Sequence, residues 1–430
     1  MTGKSQQKAG QSPDSSHLLP RGTAAPHNRG MRSVTEHAAA IAALVTARPE
    51  QETTLAAAHG RVLARDVIAP RSLPGFDNSA MDGYAVRATD IAGASAANPV
   101  TLPVEADIPA GRTDIPQHHA GTAHRIMTGA ALPPGADSVI PVERTDGGTT
   151  TVRITASTDP GQHIRRNGED IAKGEIALAR GSTLRAPQLG LLAALGYATV
   201  PVIPPIRVMV LSTGSELVAP GQALRPGEIY ESNSIMLASA AREAGAVAAQ
   251  LRFVSDDTGD FLATLRAHAD DADVFLTSGG VSAGAYEVVK DSLADRGVEF
   301  VKVAMQPGMP QGSGTFEGTP IITLPGNPVS ALISFEVFVR PALRAAMGYA
   351  RTGREVVAAT LAEDIRSPLG KRQFRRGVLD RATGTVRTIG PPASHYLRWL
   401  ASSDCLVDIP AATEAIPAGQ AVEVWDLSRP

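Results

Sequence analysis

One cysteine, Cys405, in 430 residues excludes an internal disulfide and a cysteine-based zinc site, which fits a reducing compartment and an expected cytoplasmic location. A formal charge of -3 leaves no basic excess, so nucleic acid is not an expected partner, and neither is a membrane. Residues 1–30 are rich in Gln, Ser, Pro, Gly and Ala and lack the apolar run of a signal peptide, so they read as a disordered tail. Also missing are a G-x-x-x-x-G-K-[ST] phosphate loop and a G-x-G-x-x-G fingerprint, which removes the usual nucleoside-triphosphate and nicotinamide motifs. No histidine has a motif context that pairs it with Ser212, Ser278 or Ser282, so covalent catalysis by serine is not expected.

What is present is organised around residues 273–290, DVFLTSGGVSAGAYEVVK. Val274, Phe275 and Leu276 run without alternation, as a strand covered on both faces does. Gly279, Gly280 and Gly284 then break the strand before a helix. Such a turn either brings backbone amides close to an anion or merely packs a helix on a sheet, and one turn leaves both readings open. Two more segments repeat the grammar: 206–217 turns at Ser212, Thr213 and Gly214, and 320–335 turns at Pro325, Gly326, Asn327 and Pro328. Parallel strands put such turns on one sheet edge, where open α/β sheets bind ligands. Three loops are therefore expected to line one pocket for an unusual phosphorylated ligand.

The flanks are read more coarsely. Ser33 and Glu36 form a capping box before Val34, His37, Ile41, Leu44 and Val45 at helical spacing, where His37 reads as packing. A short helix is expected at 55–63, β runs at 123–128 and 138–142, a helix at 186–196, and a proline-rich boundary at 201–205. From 206, strands at 207–211, 247–254, 298–303 and 320–324 alternate with helices at 233–245, 258–269 and 328–347. Further β runs follow at 356–361, 374–379, 405–409 and 421–425. The expected fold is α/β plus β: a multidomain chain with a central three-layer α/β domain of mostly parallel sheet, small flanking β domains and a C-terminal β-barrel-like domain. The expected domains are 31–73 with 161–205, 74–160, 206–350 and 351–430.

Seven segments in order, PGFDNSAMDGYAVR, RIMTGA, IRRNGEDI, STGSEL, SGGVSAG, LPGNPVS and FRRG, resemble the MoeA family of molybdopterin molybdenumtransferases, which includes the gephyrin E domain. The resemblance implies an elongated homodimer with its site between subunits, inserting molybdate into adenylylated molybdopterin with Mg2+-dependent release of AMP. It implies functional roles for Asp82, Thr128, Asp170, Glu216, Asp256 and Glu287, and oxyanion or phosphate contacts for Lys302, Arg376 and Ser394. Of these, Asp170, Glu216 and Asp256 are expected to serve Mg2+ directly or through water. A molybdopterin adenylyltransferase and molybdoenzymes are the protein partners implied.

Bland readings stand beside these: Asp82 and Asp170 as turn or cap acids, Glu216 at a helix N-terminus, Arg376 in a surface ion pair. Departures from the family pattern are Gln306 and Met309 where lysines are frequent, Ser215 and Ala285 where acids are common, and Glu287 for Asp. Two alternatives remain open. One is an adenylyltransferase-like enzyme, which lacks the flanking β domains; the other is an inactive scaffold like the gephyrin E domain.

Overall fold

The computed structural model describes residues 30–254, 257–280 and 288–429, with side chains from 252 to 254 excluded. The tail, apart from Gly30, and Asp256, Ser282, Gly284, Ala285 and Glu287 lie outside the described residues.

The first helix, Val34–Leu44, starts where its cap dictates: Glu36 N donates to Ser33 Oγ (3.1 Å) and Ser33 N to Glu36 Oε2 (2.8 Å). Its inner face buries Val34, His37 and Ile41. His37 packs edge-on to Phe338 with ring centroids 4.7 Å apart, and neither ring nitrogen has a hydrogen-bond partner among the described residues. Burial, with the Arg32 charge adding to it, pushes the imidazole pKa from 6.5 down to about 4. The unfolded chain therefore binds the proton more tightly than the folded one. Stability from this group is fully present above pH 6.5 and is lost as pH falls toward 4, by up to about 3 kcal/mol. Urea midpoints at pH 7 and 5 are expected to differ less in His37→Leu than in the wild type; an equal difference would remove His37 as the cause.

The expected helix at 55–63 does not form. Ala57 N donates to Thr54 O and Ala58 N to Leu55 O as isolated turns, Gly60 takes a positive φ of 76°, and Val62–Leu63 is a buried strand. Pro201, the first of the prolines at 201–205, is inside a strand, Thr199–Ile203, paired antiparallel with Gln51–Thr54, and Pro204 and Pro205 follow it. Burial of Val200 and Val202 holds it there against the proline signal. Further along, Val67–Ile68 pairs with Ile176–Leu178 and Asn78–Ser79 with Ile164–Arg165, so the chain leaves and returns side by side. Between these arms lies a five-stranded sheet ordered Ser138–Pro141, Gly83–Val86, Ala123–Ile126, Val100–Ile108, Thr151–Ile154.

The central sheet has six strands, β1 Arg207–Thr213, β2 Val247–Val254, β3 Val274–Ser278, β4 Val298–Lys302, β5 Pro310–Phe316 and β6 Thr319–Leu324, in the order β2-β1-β3-β6-β5-β4. Pairings are parallel from β2 to β6 and antiparallel beyond. Val208, Val210, Val274, Leu276, Ile322 and Leu324 face one core. Met209, Leu211, Phe275 and Ile321 face another, beneath helices Thr258–Ala267 and Val288–Leu293. The unalternating apolar runs thus come from strands covered on both sides.

Strand β5 has no sequence expectation; it contains Pro310, Gly312 and Gly314. A Cβ on Gly314 would stand 2.0 Å from Gly297 O, so the glycine admits a backbone approach that no other residue allows. The expected helix at 328–347 runs through Pro328–Ser334, a wider π-turn segment Phe335–Val339, and Arg340–Ala346.

In the C-terminal part, strands Glu355–Leu361, Arg372–Asp380, Thr385–Thr388, Cys405–Ile409 and Ala421–Asp426 close a β-barrel, since Arg372–Asp380 pairs with both Thr385–Thr388 and Cys405–Ile409. Cys405 is buried in it, and burial pushes its thiol pKa up. Met305–Gln306 pairs parallel with Arg372–Gln373, which fastens the barrel beside the ends of the central strands. Among the described residues no helix is long and apolar enough to cross a membrane.

Candidate active site

The C-terminal ends of β1, β3 and β6 bring residues 212–216, 278–280 and 325–328 around one cleft of about 1360 Å³. The facing wall comes from residues 305–310, Lys371, and residues 392–395 of the barrel. Val329 N donates to Ser394 O (3.1 Å) and Asn327 Nδ2 to Ser394 Oγ (2.9 Å), so the two walls are joined at their base.

Two residues without a sequence expectation tie the loops together. Asn233 Nδ2 donates to Ser278 Oγ (2.9 Å) and Gly326 O (2.6 Å). The buried Glu231 carboxylate accepts from Ser212 Oγ (2.8 Å), Ser234 N (2.6 Å) and Ser234 Oγ (2.7 Å). The Ser212 and Ser278 hydroxyls are therefore engaged in bracing: Ser278 Oγ also donates to Pro325 O at 3.2 Å. By contrast, the buried Thr213 Oγ1 has no partner among the described residues.

The glycines are required for packing of the loops against one another. At a φ of +100°, a Cβ on Gly279 would lie 2.9 Å from Thr213 O, and one on Gly326 would lie 3.3 Å from Gly279 Cα. A Cβ on Gly280 would meet Val289 Cγ2 at 2.9 Å. Close loop contact leaves amides over all the same. Gly279 N donates to Leu324 O, whereas the amides of Gly280, Gly326 and Asn327 donate no hydrogen bond within the described residues. Three amides at strand ends, beside the start of the helix at Pro328, line the cleft as donors of the kind an anion takes.

Glu216 is exposed in the cleft and makes no ion pair among the described residues. It lies in a tight loop before Leu217–Val218, not at a helix N-terminus. The described residues contain no group of three acids, histidines or cysteines able to enclose a metal. The Glu216 carboxylate oxygens accept no hydrogen bond among the described residues, whereas those of Glu231 are engaged by Ser212 and Ser234.

The other residues singled out from sequence lie elsewhere. Asp82 Oδ1 accepts from Thr128 N (2.6 Å) and Thr128 Oγ1 (2.7 Å), bonds that hold its carboxyl below the usual range. Asp170 is exposed on a loop whose N donates to Leu73 O (3.0 Å). Arg166 Nη1 binds Asp77 Oδ2 (2.6 Å) and Asn167 N binds Asp77 Oδ1 (2.8 Å), knitting 74–79 to 164–170. Asp82, Thr128 and Asp170 do not line the cleft of this chain. Lys302 is exposed at the end of β4 and does not line it either. Arg376 is buried behind the wall, donating to Pro391 O and to Ala393 O (3.1 Å), so it shapes the loop carrying Ser394 and makes no surface ion pair. Lys371 and His395 line the cleft without having been expected there.

Comparison with known proteins identifies the domains. Residues 32–196 match the model of the MoeA N-terminal region, domains I and II. Residues 209–345 match a probable molybdopterin binding domain, and 358–427 the MoeA C-terminal region, domain IV. The chain is 57% identical over 405 residues to molybdopterin molybdenumtransferase 2 of Mycobacterium tuberculosis, covering 93% of this chain and 100% of the relative. It is 34% identical over 376 residues to the molybdopterin molybdenumtransferase of Haemophilus influenzae, covering 85% and 91%. A crystal structure of the molybdopterin biosynthesis MoeA protein of Pyrococcus horikoshii superposes with a TM-score of 0.81 at 31% identity, covering 92% of this chain and 99% of that one.

Proposed function

Since the chain belongs to the molybdopterin molybdenumtransferase (MoeA) family of molybdenum cofactor biosynthesis enzymes, we propose that its cleft takes adenylylated molybdopterin and molybdate, releasing AMP and the molybdenum cofactor. The observation that carries this reading is the set of amides at Gly280, Gly326 and Asn327, and the nearby Glu216 carboxylate, that have no hydrogen-bond partner among the described residues. Those amides receive the pyrophosphate. Glu216 would hold Mg2+, with Asp256 and Asp170 as the further acids the family resemblance implies, and the ion would supply positive charge to offset the phosphate oxygens. The phosphoanhydride bond to AMP breaks as an oxygen from water or molybdate bonds to the AMP phosphorus and the molybdopterin phosphate leaves. Glu231 and Asn233 keep the three loops at one spacing, and Arg376 keeps Ser394 turned to the same cleft. No serine nucleophile is proposed, since no histidine has a motif context that pairs it with Ser212, Ser278 or Ser282, and Ser212 Oγ donates to Glu231 and Ser278 Oγ to Pro325 O.

The working unit is proposed to be a homodimer in the cytoplasm, with Asp82, Thr128 and Asp170 of a second subunit completing the cleft. A molybdopterin adenylyltransferase upstream and molybdoenzymes downstream are its proposed protein partners. The test is AMP release from adenylylated molybdopterin. Release is expected to require molybdate and a divalent cation and to stop on chelation. Undiminished release by a metal-free preparation would remove the carboxylates from the reaction.

A further inference from the structure

The two walls of the cleft differ in charge. The strand-end wall carries Glu216 and Glu231; the barrel-side wall carries Lys371, the one Lys or Arg lining the cleft among the described residues. Neighbouring cations are committed elsewhere. Arg372 Nε donates to Asp408 Oδ1 at 2.8 Å, Arg375 Nη2 reaches Thr388 Oγ1 at 3.4 Å, and Arg376 binds the carbonyls of Pro391 and Ala393. Lys371 is half-buried and makes no ion pair among the described residues, so its ammonium is available to a ligand.

The same wall holds two neutral donors. Gln306 sits opposite Gln373 in the parallel pairing that follows Met305 and Arg372. The buried Gln373 donates through Nε2 to Gln306 Oε1 at 2.8 Å, which fixes the carboxamide and leaves the Gln306 NH2 group to the cleft. Ser394 Oγ accepts from Asn327, so its own hydrogen remains to be donated. An ammonium, an amide NH2 and a hydroxyl on one wall suit a compact oxyanion with several acceptor oxygens. The extended pyrophosphate is served by the amides opposite.

Resting on the reading of the cleft as the site of molybdate transfer, we infer that Lys371 supplies the cation that holds the tetrahedral oxyanion, molybdate, against the barrel-side wall. Lys371 arrives there only because Met305–Gln306 pairs with Arg372–Gln373. It offsets the lack of a positive charge at Gln306 and Met309.

The test is calorimetric titration of the full chain with molybdate and, separately, with AMP, for the wild type, Lys371→Met and Lys371→Arg. Lys371→Met is expected to weaken molybdate binding by about tenfold or more, the size of one lost charge-assisted hydrogen bond, while AMP affinity stays within about twofold. Lys371→Arg keeps most of the affinity, and thermal melting of both variants matching the wild type shows that the fold is intact. Unchanged molybdate affinity in Lys371→Met, or an equal loss for AMP, overturns the inference while leaving the cleft assignment standing. A wild-type protein that binds neither anion overturns the cleft assignment, and the Lys371 inference falls with it.

Discussion

Glu216→Ala is expected to lower AMP release by about a hundredfold or more while leaving the melting temperature nearly unchanged. The first half follows from its place in the cleft: it is the acid lining the cleft that no described group engages, whereas Glu231 is saturated by Ser212 and Ser234. The second half follows from exposure, since an exposed carboxylate with no ion pair gives the fold little. Glu231→Ala separates the two effects, because it leaves the Ser212 hydroxyl and Ser234 amide without their buried acceptor and is expected to cost stability. Steady-state AMP release and thermal melting on the same preparations read both. Wild-type turnover by Glu216→Ala would take that carboxylate out of the reaction.

Mixing two inactive variants, Asp82→Ala and Glu216→Ala, under conditions that allow subunit exchange is expected to restore about a quarter of wild-type turnover. The value comes from counting: random exchange makes half the dimers mixed, and each mixed dimer has one cleft with both residues intact and one with neither. The expectation is motivated by the separation of Asp82 and Thr128, held together by two hydrogen bonds, from the cleft that Glu216 lines. A site within one subunit gives no recovery at any mixing ratio. Recovery near zero, with exchange verified by differently tagged chains, would therefore place the whole site within one chain.

The parts of this fold that were legible in the sequence are those in which local pattern and tertiary burial agree. Ser33 and Glu36 set their helix by themselves, and the apolar runs of β1, β3 and β6 are covered on both faces by helices. The failures occur where tertiary contact overrides composition. Strand β5 contains Pro310, Gly312 and Gly314, residues that punctuate loops, yet Gly314 is needed because Gly297 O occupies the space of its Cβ. The helical reading of 55–63 loses to Gly60 and to the burial of Val62 and Leu63.

The site divides in the same way. The strand-end loops announce themselves by their small residues, and the structure gathers them around one cleft. Lys371 and Asn233 carry no such signal, because their roles depend on which segment crosses to meet them: Met305–Gln306 beside Arg372, and Gly326 beside Ser278. Arg376 illustrates the converse. Its motif context marks it, but only the structure shows its guanidinium spent on the backbone behind the cleft.

A crystal structure of the protein with adenylylated molybdopterin bound would locate the ligand among these groups. The phosphates are predicted within hydrogen-bond distance of the amides of Gly280, Gly326 and Asn327, with a divalent cation between them and Glu216. Phosphates bound away from the ends of β1, β3 and β6, or amides still without a partner in the complex, would contradict the assignment of this cleft.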